Sequence, residues 1–158
     1  MMGGLEIKRL TMVHHSVSGK TRQMANLLSD VLSNQEQLVE FRSISAFEAN
    51  ASDILRSDGI IFGTPANFGY MSGALKDFFD RNYYDLEGKV EALPFAIFVS
   101  ASTDGAGAVD SIRRICRGLN LKEVQEPLVL TKKISESDEQ AIRDFGLTMA
   151  VGIEAGIF

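Results

Sequence analysis

The sequence predicts an α/β domain with a doubly wound parallel sheet, and three observations carry that prediction. Short apolar runs of strand length alternate along the chain with segments whose apolar residues recur every three or four positions, the order expected when each strand is followed by a covering helix. Two of the runs, Gly59 to Thr64 and Pro94 to Ser100, are continuously apolar rather than alternating, as in strands covered on both faces. With 158 residues and 45% hydrophobic content, the chain is also large enough for one sizeable core, so residues 1–158 are expected to form a single domain.

The elements follow in order. Ile7 to His15, apolar at Leu10, Met12 and Val13, is the first strand. It leads through Ser16-Val17-Ser18-Gly19 into an amphipathic helix bearing Met24, Leu27, Leu28, Val31 and Leu32. Gln37 to Arg42 reads as a second strand, and Ser52 or Asp53 is expected to cap a short helix ending near Arg56. Gly59 to Thr64 is the third and central strand. After the loop from Pro65 to Tyr70, Met71, Leu75, Phe78, Phe79 and Asn82 or Tyr83 mark the core face of a helix. Pro94 to Ser100 is the fourth strand, followed by a glycine-containing turn and a helix carrying Val109, Ile112, Ile115, Cys116 and Leu119. Val124 to Lys132 is the fifth strand, where Pro127 lacks a ladder donor and so favours an edge position or a bulge. Ser137 and Gln140 suggest a capping box for a last helix with Ile142, Phe145, Met149 and Ile153 on its apolar face.

Composition excludes several classes. A net charge of −5 with dispersed basic residues gives no attraction for a phosphate backbone, so nucleic acid is not an expected partner. The longest apolar run, Leu93 to Val99, is far short of the roughly 18 residues of a membrane helix, and no membrane association is expected. The amino terminus (Met1, Met2, Gly3, Gly4, Leu5, Glu6) shows no apolar core of a secretory signal, and Cys116 has no partner for an internal disulfide. A cytoplasmic location is the expectation.

In a doubly wound sheet, ligands bind where strands end and helices begin. The first such loop, Ser16-Val17-Ser18-Gly19-Lys20-Thr21, offers hydroxyls, a permissive glycine and helix N-terminal amides to a phosphate dianion; the competing reading makes Ser18 a helix cap and Thr21 a surface residue. A nucleotide-triphosphate P-loop is excluded, because its first glycine would fall at His14. The second loop, Gly63-Thr64-Pro65-Ala66-Asn67-Phe68-Gly69-Tyr70-Met71-Ser72-Gly73, places two aromatics at the sheet edge, either for a ligand or for core packing. The third, Ser100-Ala101-Ser102-Thr103-Asp104-Gly105-Ala106-Gly107, is built of small residues that let backbone amides approach a flat ligand. A receiver domain would need acidic residues where His14-His15 stand and an aspartate at Thr64, and a low-molecular-weight tyrosine phosphatase would need Cys-x5-Arg in the first loop. His14 and His15 project to opposite faces of a strand and read as a strand end rather than a metal site. Arg81 and Asp80 read as helix-end charges.

Together the three loops resemble the flavodoxin family and its relatives, the NAD(P)H-dependent flavin and quinone reductases. Ser16 to Thr21 matches the phosphate-loop pattern Ser/Thr-x-Ser/Thr-Gly-x-Thr at every fixed position. Gly59 to Pro65, continuing through Phe68-Gly69 and Met71-Ser72-Gly73 to Phe78-Phe79-Asp80-Arg81, is similar to the reductase branch typified by tryptophan-repressor-binding-protein quinone reductases. The resemblance implies a three-layer flavodoxin-like fold with a five-stranded parallel sheet in the order 2-1-3-4-5. It also implies noncovalent FMN, its phosphate held by Ser16, Ser18, Gly19, Lys20 and Thr21. The isoalloxazine would lie against Thr64, Pro65, Ala66, Asn67, Phe68 and Gly69, and Ser100, Ala101, Ser102, Thr103, Gly105 and Gly107 would close its pyrimidine side. Lys20 departs from the neutral groups common in relatives, and the favoured reading points it to solvent. No catalytic side chain or metal is expected, because the flavin carries the chemistry.

Three functions remain from the sequence. The favoured one is an FMN-dependent NAD(P)H oxidoreductase, taking electrons from NADPH or NADH and passing them to a quinone or free flavin. Dedicated carriers resemble one another in strong negative charge around the flavin and in an aromatic in the third loop; this chain has weak charge and no aromatic between Ser102 and Ala108. The alternatives are a flavodoxin-type one-electron carrier and a noncatalytic flavin-binding sensor. The apolar tail from Met149 to Phe158 has two readings, burial against a second subunit in a homo-oligomer and packing in the core.

Overall fold

The computed structural model describes residues 6–16 and 19–158. Val17 and Ser18, and the first five residues on which the secretory-signal expectation rests, lie outside the described residues. Strands β1 (Lys8–His14), β2 (Val39–Ser45), β3 (Gly59–Pro65) and β4 (Pro94–Ser100) alternate with helices α1 (Lys20–Ser33), α2 (Ala51–Leu55), α3 (Gly73–Leu86) and α4 (Ala106–Gly118). Two short strands, β5 (Lys122–Glu123) and β6 (Leu128–Leu130), precede the last helix, α5 (Glu136–Ala155).

The sheet is parallel throughout, in the order β2-β1-β3-β4-β5, the order that the resemblance implies. The expected single fifth strand is a correction: it is split into two pieces. β5 pairs with Pro94 and Phe95, and β6 pairs with Phe98 to Ser100 farther along the same edge of β4. Pro127 stands in the gap, where it has no N–H to offer the ladder. β2 begins two residues later than expected because the amides of Leu38 and Val39 both turn back to the Gln35 carbonyl, at 2.9 and 3.1 Å.

Continuous apolarity in β3 feeds two core layers. Ile60 and Phe62 pack under α3 and α4 with Phe78, Phe79 and Phe95, whereas Ile61 faces Met24, Leu28 and Met149 under α1 and α5. The Phe62 ring lies 5.2 Å from Phe79, and Phe78 lies 5.3 Å from Phe79 edge-on. Full burial of each such ring contributes about 1.5–3 kcal/mol. In the second layer Phe98 leaves no space at Gly63, where a Cβ would fall 2.0 Å from its ring. In the apolar tail Met149, Ala150 and Ile153 are core residues, so packing within the chain accounts for that face.

Two caps differ from expectation. Asn50, not Ser52 or Asp53, caps α2: its Oδ1 accepts from the Ser52 and Asp53 amides, and Asp53 accepts in return from the Asn50 amide at 2.9 Å. Ser52 and Asp53 lie two and three residues past the cap position, already inside the helix. The capping box of α5 is Ser135 with Asp138, not Ser137 with Gln140, and its hydrogen bonds hold the Asp138 carboxyl below the usual aspartate range. Arg81 is more than a helix-end charge: it donates to the Ala46 and Ala49 carbonyls at 2.7 and 3.2 Å, fastening α3 to the β2–α2 connection.

Candidate functional site

The sheet order places β1 between β2 and β3, so the chain reverses its direction of travel across the sheet at the β1/β3 boundary. The three loops predicted to bind a ligand leave the carboxyl ends of β1, β3 and β4, and hydrogen bonds join them into one surface. His15 N donates to Gly63 O at 3.1 Å, and Ala66 N donates to Ser100 O at 2.8 Å. Thr21 and Ser100, 79 positions apart, share a short buried bond between their hydroxyls. Lys20 corrects the expectation that it points to solvent, since it is half-buried and its Nζ donates to the Ala101 carbonyl at 3.2 Å.

The start of α1 differs from those of α2, α3 and α5. Asn50, Ser72 and Ser135 cap α2, α3 and α5 with their side chains, whereas α1 begins at Gly19 with no side-chain cap and no acid in its first turn. Gly19 adopts φ +74, a conformation that a residue with a Cβ rarely takes. Among the described residues no side chain caps the first amides of α1 and no acid offsets the positive end of its dipole, and Lys20 and Arg22 add charge. That donor set fits a phosphate dianion. Ser16 is half-buried behind it, with its carbonyl 3.5 Å from Arg22 Nη2, and Ser18 lies outside the described residues.

The second loop closes a tight two-residue turn. Asn67 and Tyr70 exchange backbone hydrogen bonds of 2.8 and 3.0 Å, and between them Phe68 and Gly69 take φ +52 and +71, the pattern of a type I′ turn. Glycine suits this backbone, but a phenylalanine in the left-handed region costs about 1–2 kcal/mol. The Phe68 ring buries nothing in return, being fully exposed at the sheet's carboxyl edge. Strain and exposure at one residue mark a position kept for contact with something else. Beneath the turn, buried Thr64 donates to Pro65 O at 2.8 Å and accepts from Ser72 N at 2.9 Å, so its hydroxyl holds the loop rather than facing outward. Ser111 Oγ accepts from Met71 N at 3.2 Å, and Gly107 meets the turn so closely that a Cβ there would lie 2.0 Å from Gly69 O. Pro65 and Ala66 are half-buried and Asn67 is exposed.

In the third loop Ser100 and Ala101 are buried, Ser102 and Thr103 are exposed, and Gly105 turns the chain into α4 at φ +69. Asp104 Oδ1 accepts from the first amide of α4 at 3.0 Å. A flat ligand above these loops would therefore meet aromatic surface from Phe68 and Tyr70, and only small side chains from Ser102 to Ala108. Ser111 and Arg22, which bond Met71 N and Ser16 O, were not marked out by the sequence patterns, because each acts on the site from outside its loops.

His14 and His15 both border one cavity despite their alternation in sequence. His14 Nε2 lies 2.9 Å from Ser43 Oγ, and the His15 ring meets Phe47 edge-on at 5.5 Å. Burial, and then the neighbouring charges of His15 and Arg22, hold the His14 imidazole below its ordinary pKa. Among the described residues no third ligand joins the pair into a metal-binding group.

Known proteins agree with this geometry. The NADPH-dependent FMN reductase family matches residues 23–136, more than half of the chain. An NAD(P)H dehydrogenase (quinone) from Acidithiobacillus ferrooxidans is 30% identical over 64% of this chain and 60% of its own length. A flavodoxin from Aquifex aeolicus is 30% identical over 63% of this chain and 53% of its own, so the chain spans little more than half of these relatives. Oxidised Flavodoxin 1 from Bacillus cereus superimposes with a TM-score of 0.75 at 25% identity, covering 89% of this chain and 95% of that one. Fold, sheet order and family match converge: the chain belongs to the NADPH-dependent FMN reductase family, within the flavodoxin-like superfamily of FMN-binding redox proteins.

Proposed function

We propose that this chain binds FMN noncovalently in one domain and acts as an NAD(P)H-dependent oxidoreductase on quinones or free flavin. The observation that carries the reading is the asymmetry of the site: Phe68 and Tyr70 offer aromatic surface from the second loop, while the third loop carries none. One ring face is then left open to a nicotinamide donor and afterwards to an acceptor. Bound FMN supplies the redox chemistry, taking two electrons from NAD(P)H and giving them to the acceptor.

The chain's own residues bind and orient. The uncapped amides from Gly19 onward take the phosphate with Ser16 and Ser18, while Lys20 and Thr21, whose side chains are tied to Ala101 and Ser100, contribute backbone donors and rigidity. Pro65 to Gly69 provide the platform for the ring, and Ser100 to Gly107 line its polar edge with backbone groups. Lys20, Arg22 and Asp104 leave the rim without a strongly acidic field, unlike one suited to steering a basic protein partner. Fully buried Cys116, its thiol pushed well up by desolvation, takes no part in electron transfer and suits a reducing, cytoplasmic setting.

The likeness to flavodoxins supports a second reading, a one-electron carrier with no nicotinamide activity of its own. An anaerobic absorbance experiment on FMN-reconstituted protein separates the two. Bleaching of the flavin band by NADPH or NADH, reversed by a quinone, is expected. Bleaching by a chemical reductant alone selects the carrier, and failure to take up flavin ends both readings.

A further inference from the structure

We infer that the groove between α3 and α4 holds the adenosine end of the nicotinamide donor, and that Arg114 and Arg117 select NADPH over NADH by taking its 2′-phosphate. The inference rests on the reading that the chain is a reductase fed by NAD(P)H, and it gives residues of this chain the choice of donor which that reading leaves open. The groove is continuous with the flavin site. Tyr70 and Gly107 stand at its mouth, Tyr70 closing the turn that carries Phe68 and Gly107 lying against the Gly69 carbonyl. From there a cavity of about 580 Å³ runs between the helices, a size within the range of small-molecule sites. Toward the end of α4 the two helices close on each other, where a Cβ on Gly118 would lie 2.3 Å from the Tyr83 hydroxyl.

The charges along the groove divide by what they already hold. Glu123 grips Arg113 in a fork at 2.8 and 2.9 Å, and Asp80 holds Lys76 at 2.7 Å. Arg114 and Arg117 line the same groove, both are exposed, and among the described residues neither has an ion-pair partner. Three positions apart on a helix, they are neighbours on one face, where like charges disfavour the helix slightly and a dianion set between them removes that cost. At about 1.5 Å of rise per residue they stand about 10 and about 15 Å along α4 from Gly107, at the distance of the far ribose of a dinucleotide and not of its nicotinamide. Asp110 lines the groove one turn nearer the mouth; an acceptor only, it suits a ribose hydroxyl and not a phosphate. NADH carries a hydroxyl in place of the 2′-phosphate and forgoes both guanidinium contacts.

Anaerobic stopped-flow reduction of the FMN-reconstituted protein by NADPH and by NADH tests the inference on the wild type and on the double variant Arg114→Ala/Arg117→Ala. NADPH is expected to exceed NADH at least about tenfold in the second-order rate of flavin bleaching, the low end for a hydrogen bond to a charged group. The double variant should lose most of that ratio through NADPH alone, with bleaching by NADH unchanged. Arg143→Ala removes an exposed cation from α5, in the opposite layer, and should keep the ratio. Calorimetric titration with adenosine 2′,5′-bisphosphate reads the same site without turnover, and the wild type should bind it at least about tenfold more tightly than the double variant. Equal bleaching by the two donors, or a preference for NADH, overturns the inference and leaves the reductase reading standing. A preference for NADPH that survives in the double variant or falls as far in Arg143→Ala, or equal binding of the bisphosphate by wild type and double variant, overturns the placement in this groove. Bleaching by neither donor overturns the reductase reading and the inference with it.

Discussion

Replacing Phe68 by asparagine should make the apoprotein more stable and the site worse. Phe68 sits at φ +52 in the first central position of a type I′ turn, a conformation that costs a bulky residue about 1–2 kcal/mol and that asparagine tolerates. Because its ring is fully exposed, the substitution loses no packing against the rest of the chain. A net gain of about 1 kcal/mol follows, which for a protein of this size raises Tm by roughly 2–4 °C. Phe68→Gly should gain less, since glycine's extra freedom in the unfolded chain offsets about 0.4–1 kcal/mol of the relief. If the ring is a platform for the isoalloxazine, Phe68→Asn also loses about 0.5–1.5 kcal/mol of aromatic contact, or about two- to twelvefold in FMN affinity. Calorimetry of the apoprotein and flavin titration measure the two effects separately. An apoprotein destabilised by Phe68→Asn would refute the strain argument. A stabilised protein with undiminished FMN affinity would refute the platform.

Three further outcomes are expected. Thr21→Val and Ser100→Ala each leave one buried hydroxyl unpaired and should each lower stability by about 1–3 kcal/mol, while the double variant loses less than the sum, as denaturant melts would reveal. Gly107→Ala forces a Cβ to within 2.0 Å of the Gly69 backbone carbonyl, which cannot yield as a flexible side chain would, so the turn carrying Phe68 must shift; weaker FMN binding should accompany a loss of about 1–3 kcal/mol, and unchanged affinity would show that the turn's position is immaterial. His14, with its folded-state pKa held below the ordinary value of about 6.5, is more readily protonated in the unfolded chain, so stability should fall as pH drops below about 6.5 and level off once pH is under the folded value. His14→Gln should flatten that part of the stability–pH curve, and an identical slope in the variant would assign the dependence elsewhere.

The parts of the fold legible in the sequence were those with a repeating physical signal. Gly59 to Thr64 and Pro94 to Ser100 carry enough consecutive apolar residues to declare strands covered on both faces, and the core faces of α1, α3, α4 and α5 follow from three- and four-residue spacing. β5 and β6 have two and three residues, too few for any period, and only Pro127 signalled trouble there. The cap of α2 was ambiguous because Asn50, Ser52 and Asp53 all carry capping side chains, and only the backbone path decides among them. At the site, loop composition marked the three contributing segments but not their internal bonds. Nothing local in the sequence announces that Thr21 meets Ser100 or that Lys20 reaches Ala101, since these contacts depend on β1, β3 and β4 closing side by side. The left-handed backbone of Phe68 was hidden for a related reason: a type I′ turn favours asparagine or glycine where this chain has phenylalanine.

That mismatch connects stability to function. At three other strand-to-helix turns a side chain satisfies the first amides of the helix: Asn50 for α2, Ser72 for α3 and Ser135 for α5. Among the described residues α1 has no such cap, and Phe68 holds a strained turn, so the apoprotein forgoes about 1 kcal/mol at each place. A ligand that brings a phosphate to α1 and a flat ring to Phe68 engages both positions at once, and by linkage its binding stabilises the folded state in proportion to the logarithm of its concentration over Kd. At equal concentration the thermal midpoint should therefore rise more with FMN than with inorganic phosphate, because phosphate reaches only α1 and binds more weakly. Equal shifts at concentrations matched to each ligand's own Kd are what simple linkage requires, so the discriminating quantity is Kd itself. FMN should bind more tightly than phosphate, and Phe68→Asn should narrow that gap by weakening FMN alone. A variant that weakens both ligands equally would place the effect of Phe68 on the first loop instead of on the ring.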